Sequence, residues 1–134
     1  MLYHIEVLFK KRLYHHCEKL IKKVKAKAEE EEQYLYLLEA FNWQRLIMKS
    51  TSFVGISEQS LVNFIKTEKQ AIEKYRNLQE YYNLQELVYF HFDKLNAPRS
   101  AKQKQKLDNI MRNPLLKNES KAITLTGKIV FNHM

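Results

Sequence analysis

Glycine and proline are nearly absent from this chain of 134 residues, which has only Gly55, Gly127, Pro98 and Pro114. Sandwiches and barrels need many turns, and turns depend on these two residue types. Their scarcity favours few, long elements joined by short connections. Lys, Leu and Glu are the commonest residues in the sequence, and all three favour helix. The composition therefore predicts an all-α fold.

Apolar residues recur at helical spacing along the chain, and the pattern predicts seven helices. We expect antiparallel hairpins over residues 1–31, 33–76 and 79–112, followed by an unpaired helix at 119–133. The third helix is apolar on more than one side, as is usual for a helix packed between neighbours. The predicted helices cover residues 2–11, 14–30, 33–50, 58–76, 79–95, about 101–112, and 119 onward.

The segment between Ser57 and Asn96 contains neither glycine nor proline, yet its apolar face changes direction. At 100° per residue, Phe92 lies roughly 200° around the helix from Ile72. We therefore predict a break or sharp bend near residues 76–79, between two helices.

Polar residues mark three of the predicted helix starts. Ser57 can cap the helix that begins at residue 58. Ser100 and Gln103 have the spacing of a capping box for the sixth helix. Asn118 can cap the last helix. These residues support the predicted boundaries independently of the apolar pattern.

The net charge of +8 is unevenly distributed. Residues 1–28 carry +6, residues 29–98 carry −4, and residues 99–134 carry +6. Two basic ends can attract a polyanion, although lysines on helices are most often simply solvated. The basic residues concerned are Lys10, Lys11, Arg12, Lys19, Lys22 and Lys23 near one end, and Arg99, Lys102, Lys104, Lys106 and Arg112 near the other.

The single cysteine, Cys17, excludes an intrachain disulfide and favours a reducing compartment. His4 and Glu6 interrupt the first nine residues, so the start does not have the pattern of a signal peptide. No window of about 18 apolar residues is present, which argues against a membrane span. We therefore expect a cytoplasmic location.

Three chemically versatile side chains stand together at His15, His16 and Cys17. Adjacent residues on a helix point about 100° apart, so they cannot chelate one ion together. We expect Cys17 in the core and both histidines on the surface. Two isolated glycines cannot build a phosphate-binding loop. The sequence thus predicts no catalytic residues, no metal and no cofactor.

Residues 1–28 resemble a tetratricopeptide repeat. The positions that define the family fall on Arg12, Tyr14, Cys17, Ile21 and Val24, and Tyr14 matches the family's aromatic residue. Arg12 stands where the family has glycine or asparagine, and Val24 is larger than the usual alanine.

Residues 13–23, 37–43 and 113–122 are similar to degenerate repeats in long bacterial tetratricopeptide-like proteins. The resemblance implies a right-handed solenoid of helix hairpins that serves as a protein-binding scaffold, and it implies no catalytic residues. On this basis we expect a single helical-repeat segment over residues 1–134, as part of a longer repeat protein.

Aromatic residues are concentrated in the predicted third and fifth helices, which are the first helices of their hairpins. In the architecture that the resemblance implies, first helices line the concave groove. Aromatic side chains are good anchors for a bound segment, although most of them fill the core of a helical stack. The candidate partner-binding residues are Tyr36, Trp43, Tyr81, Tyr82 and Tyr89.

The leading hypothesis is a non-enzymatic scaffold that binds a peptide or helix in a groove lined by the first, third and fifth helices. The alternative is a basic helical-repeat module that binds RNA, although the acidic middle counts against it. We also expect self-association through apolar stack ends. The residues concerned are Leu2, Tyr3, Ile5, Val7, Leu8, Phe9 and Leu13 at the start, and Ile123, Leu125, Ile129, Val130 and Phe131 at the finish.

Overall fold

The computed structural model describes residues 1–94 and 101–133, and over these residues the chain is all-α with no strand. This confirms the prediction that the chain is all-α. Two short 3-10 turns, at Pro114–Leu116 and Glu119–Lys121, lie between the last two helices. The α-helices are α1 (Leu2–Lys10), α2 (Tyr14–Glu30), α3 (Tyr34–Ser50), α4 (Glu58–Lys94), α5 (Ala101–Met111) and α6 (Leu125–Asn132).

The predicted break near residues 76–79 was wrong, because α4 runs without interruption from Glu58 to Lys94. The apolar face does change direction, but no residue interrupts the backbone hydrogen bonds. The first part of α4 buries Phe64 and Ala71, and the second part buries Leu78 and Val88. These two parts belong to different compact units of the chain, so each buries its own face. The side chain of Phe92 lies outside the described residues.

Over the described residues the chain therefore has six α-helices rather than seven. The predicted last helix also begins later than expected. Residues Glu119–Lys121 form a 3-10 turn instead, and α6 begins at Leu125. The reason is the local capping, because Asn118 caps the 3-10 turn by accepting from the Ser120 amide at 3.0 Å. Thr124 then caps α6 by accepting from the Gly127 amide at 2.8 Å.

Ser57 caps α4 as predicted, since its hydroxyl accepts from the Ser60 amide at 3.1 Å. The predicted capping box before α5 involves Ser100, which lies outside the described residues. Gly127 is needed for close approach, because a Cβ there would lie 2.9 Å from the capping hydroxyl of Thr124.

The ends of α1, α2 and α3 share one turn geometry, and none of the three has a glycine at the left-handed position after its C-cap. One residue after each C-cap has left-handed backbone, with φ of 58° at Arg12, 52° at Glu32 and 52° at Ser52. The next amide donates back into the helix, which is the pattern of the Schellman motif. These bonds run from Leu13 to Leu8, from Gln33 to Ala28 and from Phe53 to Met48, at 3.0, 2.8 and 2.9 Å.

The first compact unit covers Met1–Tyr75, and in it α1, α2 and α3 pack on one another. The first part of α4 joins α3 through the rings of Phe41 and Phe64, whose centroids are 5.4 Å apart. Arg45 also donates to both carboxylate oxygens of Glu68, at 2.5 and 2.6 Å. The core cluster consists of Ile5, Cys17, Ile21, Val24, Ala40 and Ile47.

The second compact unit covers Arg76–Met134 and is centred on Tyr81, Ala122 and Val130. Asn77 of α4 makes two hydrogen bonds to the segment before α6. Its Nδ2 donates to the carbonyl oxygen of Lys121 at 3.0 Å, and its Oδ1 accepts from the amide of Ile123 at 3.1 Å. This unit therefore holds an irregular segment in place with side-chain hydrogen bonds rather than with regular helix packing.

Candidate partner-binding groove

A groove of about 380 Å³ lies at one end of α1, α2 and α3, within the first compact unit. The first turn of α1 and the last turns of α2 form its walls, and the α2–α3 turn and the start of α3 complete it. Its volume falls in the range of small ligand sites, which is also enough for one or two side chains of a partner. It is lined by Met1, Leu2, Tyr3, Val24, Lys27, Ala28, Glu31, Gln33 and Tyr36.

The groove combines an apolar floor with two exposed aromatic side chains. Val24 and Ala28 are each 5% exposed, and they form the floor. Tyr3 is 72% exposed and Tyr36 is 55% exposed, although both are large aromatic residues. Tyrosines in such a position offer a wide apolar surface and a hydroxyl group to a partner, which is typical of protein interfaces.

Two of the five candidate residues belong to this unit. Tyr36 lines this groove, which α1, α2 and α3 form together, whereas the hypothesis places its groove on the first, third and fifth helices. Trp43 is partly buried and packs on the core cluster, with its ring centroid 5.3 Å from that of Phe9. Trp43 therefore supports the packing of α3 on α1 and offers only part of its surface to a partner.

The other three candidates lie in the second unit. Tyr81 is fully buried, and its hydroxyl donates to the carbonyl oxygen of Leu115 at 2.9 Å. Burial, followed by the charge of Glu80, raises the pKa of Tyr81. Tyr82 packs on the same core. Tyr89 is about half exposed, and its hydroxyl donates to the carbonyl oxygen of His133 at 3.2 Å. The fold thus assigns Tyr81 to the core rather than to a binding surface.

Sequence reasoning missed Tyr3 and Lys27 as groove residues. In α1 the predicted apolar stripe runs through Leu2, Ile5 and Phe9, and Tyr3 lies off it. An aromatic residue on the solvent side of an amphipathic helix was the available signal. Lys27 belongs to the lysine face of α2 in the sequence pattern, but only the tertiary packing of α2 against α1 and α3 places it at the groove.

The solvent face of α2 is strongly basic. Lys19, Lys22, Lys23 and Lys27 are all exposed. Within residues 1–94 and 101–133, none of these four lysines has an ion pair, whereas Lys10 pairs with Glu6 at 3.3 Å. Because Lys27 also lines the groove, the basic face of α2 reaches the groove directly.

Lys25 is different from its neighbours, because it points toward α3. Its Nζ lies 4.1 Å from the centre of the Phe41 ring and donates to Oε1 of Gln44 at 3.0 Å. Burial lowers the pKa of Lys25, and the charge of Glu29 opposes that effect. Lys25 therefore fastens α2 to α3 and does not belong to the exposed basic face.

The chain matches no known family model, no curated protein and no solved structure. Among the helices of the described segments, none has the length and apolar character needed to cross a membrane. The same segments bring together no group of three metal-ligating side chains. As predicted, Cys17 is buried, and His15 and His16 are exposed.

The second unit also exposes basic side chains. In α5 the side chains of Lys102, Lys104 and Lys106 are exposed, and Arg112 follows the helix in an exposed position. Arg99, the fifth basic residue predicted at this end of the chain, lies outside the described residues. Each compact unit therefore exposes basic side chains, and within the first unit the apolar groove adjoins the basic face of α2.

Proposed function

We propose that this chain is a non-enzymatic scaffold that binds a peptide or helix of a partner protein. The observation that carries the proposal is the groove of the first unit, where exposed Tyr3 and Tyr36 flank a floor made by Val24 and Ala28. A partner that places an apolar side chain on this floor removes apolar surface from water, at about 25 cal/mol per Å².

We infer that the first unit is part of a helical solenoid. The support is the regular succession of α1, α2 and α3, which pack in chain order and are joined by turns of one geometry. The left-handed residues Arg12, Glu32 and Ser52 follow one another at intervals of twenty residues. α2 and α3 with their turns therefore take about forty residues, which is longer than the tetratricopeptide repeat of about 34.

RNA binding is the second candidate function, and the exposed basic face of α2 favours it. Lysines without ion pairs in the described residues can contact phosphates, and each such contact steepens the dependence of affinity on salt. The four acids of residues 29–32 follow this face directly and oppose a polyanion there. The protein scaffold is therefore the better-supported function.

The scaffold proposal can be tested by affinity capture from a nuclease-treated extract, comparing the wild-type chain with Tyr36→Ala. We expect a protein that the wild-type chain retains and Tyr36→Ala loses. Leu46→Ala is the matched control, because Leu46 is also an exposed apolar residue of α3 but does not line the groove. Capture that is insensitive to Tyr36→Ala, or that disappears with nuclease, would contradict the proposal.

A further inference from the structure

We propose that the segment bound in this groove is acidic and amphipathic, with an apolar anchor in the groove and carboxylates paired with the basic face of α2. This inference rests on the proposed function, since it specifies the chemistry of the partner at the same groove. The observation behind this inference is the position of Lys27. This residue lines the apolar groove, and it is also the last of the row of exposed lysines on α2.

The row consists of Lys19, Lys23 and Lys27, which recur at intervals of four residues. Residues four apart lie on the same face of a helix, so the three ammonium groups follow one line. With a rise of 1.5 Å per residue, this line is about 12 Å long. A bound helix that carries acidic residues at the same interval can pair with all three lysines at once.

The apolar floor and the basic row belong to the same helix. Val24 follows Lys23, and Ala28 follows Lys27, so each floor residue lies about 100° around α2 from a lysine of the row, and Lys27 itself lines the groove. A segment that lies along α2 therefore contacts the floor with one face and the lysines with the adjacent face. An amphipathic partner satisfies both requirements, whereas a uniformly acidic or uniformly apolar segment satisfies only one.

The acids at the end of α2 give the proposed complex a direction. Glu31 lines the groove, and Glu29 and Glu30 are exposed in the last turn of α2. They repel carboxylates at that end, while the lysines attract them farther toward the start of α2. The acidic part of the partner should therefore lie toward Lys19, and the apolar anchor should lie next to Tyr36.

Charge complementarity also decides between a protein and a nucleic acid at this surface. A nucleic acid has phosphates along its whole length, so it would meet the acids at the groove as well as the lysines. An acidic peptide can leave its anchor end uncharged. The combination of unpaired lysines, apolar floor and acidic rim thus fits a peptide with localised negative charge better than a polyanion.

The test measures fluorescence anisotropy with labelled probes and the full chain. The main probe is a helix-favouring peptide with leucines at one end and glutamates at every fourth position. A second probe has lysine in place of each glutamate, a third has serine in place of each leucine, and a fourth is single-stranded oligouridylate. The chain variants are Tyr36→Ser and the double variants K19E/K23E and K19Q/K23Q. K66E/K69E on α4 is the matched charge control, because Lys66 and Lys69 are exposed but lie outside the groove.

We expect the main probe to bind most tightly, and K19E/K23E to weaken it by roughly tenfold or more. K19Q/K23Q should weaken it less, and K66E/K69E should change it by less than about twofold. Tyr36→Ser should also weaken binding, but it should leave the salt dependence unchanged. Circular dichroism of each variant confirms that the helices are intact.

Three results would overturn the inference. Equal binding of the glutamate and lysine peptides, still sensitive to Tyr36→Ser, would leave the scaffold proposal standing and refute the acidic partner. Preferential binding of oligouridylate that is lost in K19E/K23E would refute both and support the RNA module. Absence of binding by the main probe would refute the acidic amphipathic partner.

Discussion

Arg12 has left-handed backbone, which strains the folded chain locally. The side chain is exposed, and its φ of 58° is costly for a residue with a Cβ. We predict that Arg12→Gly raises the free energy of unfolding by about 0.5–1 kcal/mol, because relief of this cost exceeds the entropy that glycine loses on folding. Urea unfolding measures the change.

Arg12→Ala serves as the control for loss of the arginine side chain. Alanine keeps the Cβ, so we expect no gain in stability from it. Glu32 is less suitable for this test, because its carboxylate accepts a hydrogen bond from the hydroxyl of Tyr34 at 2.9 Å. Equal stability of Arg12→Gly and Arg12→Ala would show that the turn is not strained.

Tyr34 should make the stability of the fold depend on pH in the alkaline range. Burial, followed by the hydrogen bond to Glu32 and its charge, raises the pKa of Tyr34 above its ordinary value of 10.0. In the unfolded chain the phenol of Tyr34 ionises near its ordinary pKa. The stability that the protonated phenol contributes is therefore fully present below about pH 10, and it is lost as the pH rises further. We predict that the Tm of the wild-type chain falls above about pH 10, and that the Tm of the Tyr34→Phe variant falls less steeply. Thermal unfolding monitored by circular dichroism between pH 8 and pH 11 tests this, and parallel curves for the two proteins would contradict it.

Aromatic residues show what sequence reasoning can and cannot reveal at the candidate site. Tyr36 and Tyr81 both lie on helices that are apolar on several sides, and the sequence pattern does not distinguish them. Only the fold shows that Tyr81 is enclosed by Leu115 and the segment before α6, while Tyr36 faces the groove. The enclosing segment contains two short 3-10 turns, which have no apolar period to recognise.

At the scale of elements, the boundaries of α1, α2 and α3 could be predicted closely, because each has a clear apolar stripe and a short turn. The predictions were wrong at α4 and at the start of α6. At α4 the apolar face changes direction, as the pattern indicates, but the helix continues. A helix with no glycine or proline can instead bury one face in one unit and another face in the next, and the sequence alone does not show which units its two parts join.

The continuity of α4 can be tested by a proline inside the predicted break. We predict that Gln79→Pro lowers the free energy of unfolding by about 3 kcal/mol, since proline removes a helix hydrogen bond and clashes with the preceding turn. Glu58→Pro is the matched control, because proline is tolerated in the first position of a helix. Chemical denaturation of both variants measures the difference. A Gln79→Pro chain as stable as Glu58→Pro would mean that α4 is interrupted after all.

At the scale of the whole molecule, exposed apolar residues at both ends of the chain predict self-association. Of the residues named for this, Ile5 and Val130 are buried, but Tyr3 and Leu125 are strongly exposed. Burial of one large apolar side chain contributes roughly 1.5–3 kcal/mol, and three or four of them can offset an association cost that starts near about 4 kcal/mol. The net charge of +8 opposes association, so added salt should strengthen it. Light scattering at tens of micromolar should show species larger than 16.2 kDa, and a monomer in both low and high salt would contradict the prediction.

The central claim is that the groove at the end of α1, α2 and α3 binds a segment of a partner. The most direct measurement is the mapping of amide chemical-shift changes by NMR while the acidic peptide with leucine anchors is added to the chain. We expect the largest changes on the residues of the groove and of the adjoining basic row, including Tyr3, Lys23, Lys27 and Tyr36. Changes concentrated on α5, or no saturable changes at all, would contradict it.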